Sequence, residues 1–89
     1  MKVYLATRRF RLDDGSYNVQ PIGIFESRER AKTAIDFVME QHYKLNILHV
    51  DEEENFIFFF IKRHRNAEVQ ACKIVEMDVN TTYIGAEHL

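Results

Sequence analysis

The sequence predicts an α+β fold, a mostly antiparallel sheet of four to five strands with one amphipathic helix packed on one face. Two observations lead to this prediction. Segments rich in β-branched and aromatic residues, separated by turn residues, occur on both sides of one segment with a helical repeat of apolar residues. In addition, 89 residues suffice for one modest core. The element order β-β-α-β-β-β is therefore expected to form a single domain over residues 1–89.

The first two strands are predicted to form a hairpin. Residues 2–12 are rich in Val, Tyr, Thr and Phe, and residues 17–25 return after the turn sequence Asp-Asp-Gly-Ser. Gly15 in that turn can adopt a positive φ without steric cost. Because Pro21 has no N–H group to donate, the second strand is expected at a sheet edge, or Pro21 at an irregularity.

The helix is predicted to begin after Ser27, a favourable N-cap residue, with Glu29 in its first turn. The apolar stripe that is expected to face the sheet contains Ala31, Ala34, Ile35, Val38 and His42, and it includes Leu45 if the helix continues that far, with Phe37 and Met39 on its flanks. Charged residues occupy the other side of the helix, which is expected to end near Tyr43.

The second half of the chain contains the clearest strand pattern. Residues 44–50 fit either an extension of the helix or a short strand, and we favour the strand, followed by an acidic turn at residues 51–55. Residues 56–65 and 69–79 are predicted as the last two strands, joined by a tight turn.

The composition is that of an ordinary globular protein, with 46% hydrophobic and 29% charged residues and a formal net charge of −2. The single cysteine, Cys72, excludes an intramolecular disulfide, and the first residues begin a strand pattern instead of a signal peptide. No apolar run approaches the roughly 20 residues that cross a bilayer. A cytoplasmic location without membrane contact is expected. Residues 80–89 are expected to fray, unless Tyr83 and Ile84 dock on the sheet.

Several short motifs occur in the order of a known pattern. They are Lys2-Val3-Tyr4, Asp14-Gly15, Ile22-Gly23-Ile24-Phe25-Glu26-Ser27 and Ala31 with Ala34-Ile35. With them the chain resembles a family of small uncharacterised bacterial and phage domains of unknown function, whose pattern runs K-V-Y, a D-G turn, I-G-V-F-S-S and a helix with paired Ala. The resemblance covers about the first 40 residues, and residues 73–78 look like the family's final strand. It implies the fold and no activity. Residues 45–66 depart from the pattern because they are longer and more aromatic.

Residues with reactive side chains form no catalytic or metal-binding pattern in the sequence. Cys72 has no histidine within a few residues to lower its pKa, so a buried, inert thiol is expected. The histidines include no i, i+4 pair and no finger-like spacing with the cysteine, and they are His42, His49, His64 and His88. The acidic residues 51–54 lack the alternation and glycine of a calcium loop. No catalytic, cofactor or metal site is predicted, and a non-enzyme is expected.

Basic residues concentrate in the first and fourth predicted strands. Six of the twelve Lys and Arg residues lie there, namely Arg8, Arg9, Arg11, Lys62, Arg63 and Arg65. If the helix returns the chain in a crossover, these two strands run in the same direction. The six side chains then lie toward one end of the sheet, with the acidic turn toward the other. They are the candidate contact for a polyanion.

The fourth predicted strand is apolar on both sides. Phe56, Phe58 and Phe60 share one face, while Ile57, Phe59 and Ile61 share the other. One helix covers only one face, and the sequence leaves open which one. An exposed apolar patch usually marks an interface, so the three phenylalanines are the candidate interface, and a homodimer is expected to cover it.

Two functional classes fit these features. The first is a non-enzymatic interaction or regulatory module, such as a small phage-encoded regulator or inhibitor, whose uncovered aromatic face binds a second copy or an unidentified protein partner. The alternative is a single-stranded nucleic-acid binder, in which phenylalanine rings stack on bases and the Arg/Lys cluster meets phosphates. The negative net charge favours the first class. Neither class requires a cofactor.

Overall fold

Five strands, one α-helix and one short 3₁₀ helix occur in residues 1–79, the part of the chain that the structure, a computed structural model, describes. They are β1 (Lys2–Arg11), β2 (Tyr17–Phe25), α1 (Arg28–Tyr43), the 3₁₀ helix (Lys44–Asn46), β3 (Ile47–Glu52), β4 (Phe56–Arg63) and β5 (Asn66–Asp78). Neighbouring strands pair antiparallel in the order β2-β1-β5-β4-β3. The predicted α+β class, with one helix on a mostly antiparallel sheet, is thereby confirmed.

The β1–β2 hairpin closes through the turn chemistry that its sequence predicts. Gly15 has a φ of 89°, and the Asp14 carboxylate accepts hydrogen bonds from the backbone N–H and the hydroxyl of Ser16. β2 is an edge strand, and its register with β1 shifts next to Pro21. Pro21 thus lies both at an edge and at an irregularity, where a missing N–H donor is tolerated.

Helix α1 packs on one face of the sheet, the inner face, mainly over β1 and β2. Ser27 caps the helix as predicted, because its hydroxyl accepts the backbone N–H of Arg30 at 3.1 Å. The side chains that α1 buries completely are Ala31, Ile35 and Met39. These three residues lie one turn apart and form the contact line with the sheet.

The buried stripe of α1 differs from the predicted one. Ala34 and Val38 are half-buried, His42 is exposed instead of lying on the apolar stripe, and Met39, predicted on the flank, is fully buried. The helix lies toward the β2 edge of the sheet, so Ala34 and Val38 border an open groove beside β2. Met39 is therefore buried against the sheet, where the sequence pattern had placed Val38 and His42.

The ambiguous segment after α1 divides into two elements. Lys44, with a φ of 39°, donates its backbone N–H to the Glu40 carbonyl and ends the helix. One 3₁₀ turn follows, in which the Leu45 side chain is 98% exposed. β3 begins at Ile47 and continues to Glu52, so the favoured strand is present but is displaced into the predicted acidic turn.

The core lies between α1 and the inner face of the sheet. Its sheet side chains are Ala6 of β1, Ile57, Phe59 and Ile61 of β4, and Cys72 and Ile74 of β5. Strand β4 therefore turns its isoleucine-containing side toward the helix. Its other three phenylalanines point to the opposite side of the sheet, the outer face. The buried Gln70 side chain joins the core through a hydrogen bond from its amide to the Tyr43 hydroxyl.

The described chain ends beside its beginning, because the Val79 N–H donates to the Met1 carbonyl at 2.8 Å. The predicted tail at residues 80–89, with the candidate docking residues Tyr83 and Ile84, lies outside the described residues. Between residues 1 and 79, no helix has both the length and the apolar character needed to cross a membrane.

Candidate functional site

The outer face of the sheet is the candidate functional site. In an antiparallel pair, directly opposed residues point to the same face. Phe58 is opposite Ala71, which is opposite Arg9, and Phe56 is opposite Lys73 in the next row. These registers bring side chains from β1, β5 and β4 together on one surface. None of the described side chains on this surface is fully buried, because α1 packs on the other face.

The phenylalanines of β4 form a continuous aromatic row along the outer face. The rings of Phe56 and Phe58 lie nearly parallel, with centroids 5.8 Å apart and an angle of 12° between their planes. Phe60 continues the row and contacts the His49 ring on the neighbouring strand at a centroid distance of 5.5 Å. All three phenylalanines are only half-buried within residues 1–79. The row therefore presents ring surface to any molecule that covers this face.

Positive charge accompanies the aromatic row. Strand register and side-chain alternation place four cationic side chains on the outer face, namely Arg9, Arg11, Lys62 and Lys73. Within residues 1–79, Asp51 is the only carboxylate that strand register and alternation place on the outer face. Its Oδ1 lies 2.7 Å from His49 Nε2. Four cations and one carboxylate give this face a formal charge of +3, although the whole chain carries −2. The net charge of the whole chain thus does not describe the charge of this face.

Two of the cations lie over aromatic rings. The Arg9 guanidinium carbon is 4.0 Å from the centroid of the Tyr17 ring, and Lys73 Nζ is 5.6 Å from that of Phe56. Both distances fall within the range of cation–π attraction, which holds long basic side chains against the sheet. Arg9 and Lys73 are thereby kept on the outer face beside the rings.

A groove of about 460 Å³ runs across the outer face between the aromatic row and β2. Its lining residues are Thr7, Arg9, Val19, Phe56, Ala71 and Lys73. The small side chains of Thr7 and Ala71 leave space between the larger ones at either side. The groove therefore offers apolar walls and two cationic groups within one surface.

The structure divides the six basic residues that the sequence grouped together. Strands β1 and β4 do run in the same direction, because both are antiparallel to β5. The alternation of side chains nevertheless directs Arg8 and Arg63 toward the inner side. There Arg8 Nε donates to Gln20 Oε1 at 2.9 Å, and Arg63 pairs with Glu68 at 3.0 Å. Of the six, the outer face holds Arg9, Arg11 and Lys62, while Arg65 lies in the β4–β5 turn.

Two residues of the outer face were missed by reasoning from the sequence. Lys73 lies in the central strand β5, and Tyr17 begins β2. The alternation along β5 contains a signal for Lys73, because it neighbours the buried Cys72 and Ile74 and must point away from the core. Tyr17 could be placed only with the register of the hairpin, in which it faces Arg11.

One groove on the helix side of the molecule is acidic. A groove of about 290 Å³ between α1 and β3 has Asp36, Glu40 and Glu52 above a floor of apolar side chains. Lys32 Nζ pairs with Glu52 Oε1 at 3.1 Å. Burial raises the pKa of Asp36, and the carboxylates of Glu52 and Glu40 raise it further, while Lys32 acts in the other direction. This groove on the helix side is thus acidic, in contrast to the groove of the outer face, which is lined by Arg9 and Lys73.

Cys72 lies in the core, on the side of the sheet opposite the outer face. Cys72 is fully buried, and burial raises its pKa to about 12, although the nearby Arg8 acts to lower it. Its thiol is therefore protonated at neutral pH. In residues 1–79, no three His, Cys, Asp or Glu side chains converge in a way that could hold a metal ion.

Comparison with known proteins identified no family model, no curated protein and no solved structure that matches this chain. The resemblance to small bacterial and phage domains stays a prediction. The functional conclusion therefore rests on the geometry and charge of the outer face.

Proposed function

We propose that this protein is a non-enzymatic interaction module that binds a macromolecular partner through the outer face of its sheet. The observation that carries the proposal is the row of half-buried phenylalanines, Phe56, Phe58 and Phe60, on the face opposite the helix. Full burial of one such side chain contributes roughly 1.5–3 kcal/mol, so a partner that covers the row gains a substantial apolar contact. Clusters of this kind are typical of binding sites in small soluble domains.

The shape of the surface supports binding over catalysis. The outer face is the broad surface of a five-stranded sheet, whereas catalytic groups usually lie in clefts that exclude water from the reacting atoms. A small regulator or inhibitor acts by occupying a partner, which requires such a surface and no reactive group. The free thiol of Cys72 suits a reducing compartment, and we place this activity in the cytoplasm.

A second copy of the chain is one candidate partner, which would make the protein a homodimer. It is present at the same concentration as the first copy, and two-fold pairing is the commonest form of oligomer. Burial of two phenylalanine rows against each other favours it. The positive charge of both outer faces opposes it, because each copy would bring its cationic side chains toward the positive face of the other.

Single-stranded nucleic acid is the second candidate partner. The specific observation that favours it is the placement of Arg9 and Lys73 over aromatic rings on the uncovered face. Aromatic rings flanked by cations are the elements that bind bases and phosphates on open sheets.

The test of the module compares two matched substitutions, Phe58→Gln on the outer face and Phe37→Gln on α1. Phe37 is 63% exposed and lies on the helix side, so its replacement controls for the loss of an exposed ring. Glutamine is preferred to glutamate at position 58 because Asp51 is directly opposite. Each variant serves as bait for affinity capture from an extract of the native cell.

We expect partners recovered with the parent protein and with Phe37→Gln to be lost with Phe58→Gln. Melting curves should show that both variants remain folded. Recovery of the same partners by all three proteins would mean that the outer face does not bind them, and the proposal would fail.

A further inference from the structure

We infer that the partner of the outer face is single-stranded nucleic acid, an inference that rests on the proposed function of this face. The bases stack on the β4 phenylalanine row, and the phosphates lie over β5 and β1, where Lys73 and Arg9 neutralise them.

The charge of the outer face distinguishes between its two candidate partners, a second copy of the chain and a nucleic acid. The outer face has four cations and one carboxylate, and the carboxylate is engaged by His49 at the β3 edge. A second copy would oppose cations with cations, at a cost that grows as water is excluded. A polyanion instead gains from each of these groups and releases its counterions when it binds. The face thus has the charge that complements a nucleic acid, although the whole chain is negative.

The spacing of rings and cations suits a base and its phosphate. Adjacent strands are about 4.8 Å apart, so the Phe58 backbone on β4 is about 10 Å from that of Arg9 on β1, with β5 between them. Lys73 on β5 lies in the row of Phe56, which brings its ammonium group 5.6 Å from that ring. A base on the ring row therefore has cationic groups on the side toward β1. The groove of about 460 Å³ lies between the ring row and β2, and it accommodates the sugar that connects the base to its phosphate.

The rings select single strands over duplexes. Phe56 and Phe58 can stack only on bases whose flat faces are exposed, and duplex bases are already stacked on one another. A duplex therefore makes no stacking contact with the ring row. DNA and RNA share the chemistry of base faces and phosphates, and both belong in the test.

The test measures binding of labelled oligonucleotides to the full chain by fluorescence anisotropy. The probes are oligo-dT and oligo-U of about 16 nucleotides, near the upper site size of a single sheet domain, and a duplex of equal length. We expect the single strands to bind more tightly than the duplex. Four phosphate contacts predict that log K falls with log salt at a slope of about −3.

Variants assign the binding to the outer face. Phe58→Leu keeps apolar volume but removes the ring, and we expect it to weaken binding about 5- to 100-fold, as loss of one stacked base does. Lys73→Gln should reduce the salt slope by about 0.7, which corresponds to one phosphate. The matched controls are Phe37→Leu and Lys44→Gln, at exposed positions of α1 and its C-cap, and neither should change the affinity. A melting curve of each variant verifies the fold.

Three results would overturn the inference. These are no oligonucleotide binding at low salt, equal binding of duplex and single strand, and unchanged affinity of folded Phe58→Leu. If oligonucleotides fail to bind but Phe58→Gln abolishes self-association or protein capture, the occupant is a protein, and the proposed function stands without the inference. If Phe58→Gln changes no interaction of any kind, the proposed function falls as well.

Discussion

The Cys72 thiol illustrates how one position in the fold sets the chemistry of a residue. Its side chain is fully buried in the core, and burial raises its pKa to about 12. The thiolate, not the thiol, attacks a thiol reagent, and it does so only when the reagent can reach the sulfur. We therefore predict that Cys72 is modified slowly in the native protein and rapidly in denaturant. A colorimetric thiol assay with and without urea measures this, and rapid native labelling would contradict the burial.

Asp36 provides a pH-dependent test of the acidic groove. Burial and the carboxylates of Glu52 and Glu40 raise its pKa above the ordinary value of 3.8, so the folded state holds the proton more tightly than the unfolded chain. The stabilisation from this protonation is present at low pH and is lost as pH rises above about 4 through the folded-state pKa. We predict that Asp36→Asn raises Tm slightly at pH 7 and leaves it unchanged near pH 3.

Asp14 is the matched control, because its carboxylate accepts two hydrogen bonds from Ser16 that lower its pKa. The stabilisation from its ionised form is present above its ordinary pKa and is lost as pH falls through the lower folded-state value. Asp14→Asn should therefore not raise Tm at pH 7. A gain at Asp14 equal to that at Asp36 would indicate a general charge effect instead of the local groove.

At the scale of the helix, the three residues Ala31, Ile35 and Met39 determine the packing of α1. Ile35 is completely buried, whereas Phe37, two residues later, is 63% exposed. We predict that Ile35→Ala lowers the free energy of unfolding by about 2–5 kcal/mol, through lost burial and the cavity left behind. Phe37→Ala should change it by no more than about 0.5 kcal/mol.

Urea unfolding of both variants measures the difference, and Val38→Ala provides an intermediate case because Val38 is half-buried. A loss at Phe37 as large as that at Ile35 would show that the helix is rotated from the orientation described.

The sequence predicted the elements better than their relative positions. Ser27 and Gly15 act locally, through a cap and a turn, so the start of α1 and the first hairpin could be located from neighbouring residues alone. The buried side of α1 could not, because its apolar residues span a wide arc. The position of the helix over β1 and β2 then selects Met39 for the core and leaves His42 exposed.

The residues of the candidate site show the same limit: the face of each strand could be predicted, but the grouping of residues from different strands could not. The two faces of β4 follow from alternation alone, so Phe56, Phe58 and Phe60 could be grouped from the sequence. The cations could not be assigned in this way, because their grouping depends on which strands are neighbours. Strand β5 lies between β1 and β4 and contributes Lys73 to the outer face. Arg8 of β1 points to the inner face, because side chains alternate along the strand.

For the whole molecule, the positive charge of the outer face makes salt the variable that separates its two candidate partners. Two copies that meet through their phenylalanine rows also bring their cations together, and salt screens that repulsion without weakening the apolar contact. We predict that self-association strengthens as salt increases, whereas oligonucleotide binding weakens. Both occupants need the same rings, so a single-stranded oligonucleotide should dissociate the homodimer at low salt.

Light scattering at micromolar protein across a range of salt concentrations measures the self-association. Lys73→Gln should strengthen the homodimer at low salt, because it removes one repelling charge from each copy. Phe58→Gln should yield a monomer at every salt concentration, and Phe37→Gln should behave as the parent. A parent protein that stays monomeric at all salt concentrations would refute the homodimer. A dimer that weakens with salt would be held by ion pairs that the outer face does not provide within residues 1–79, and would have to form through another surface.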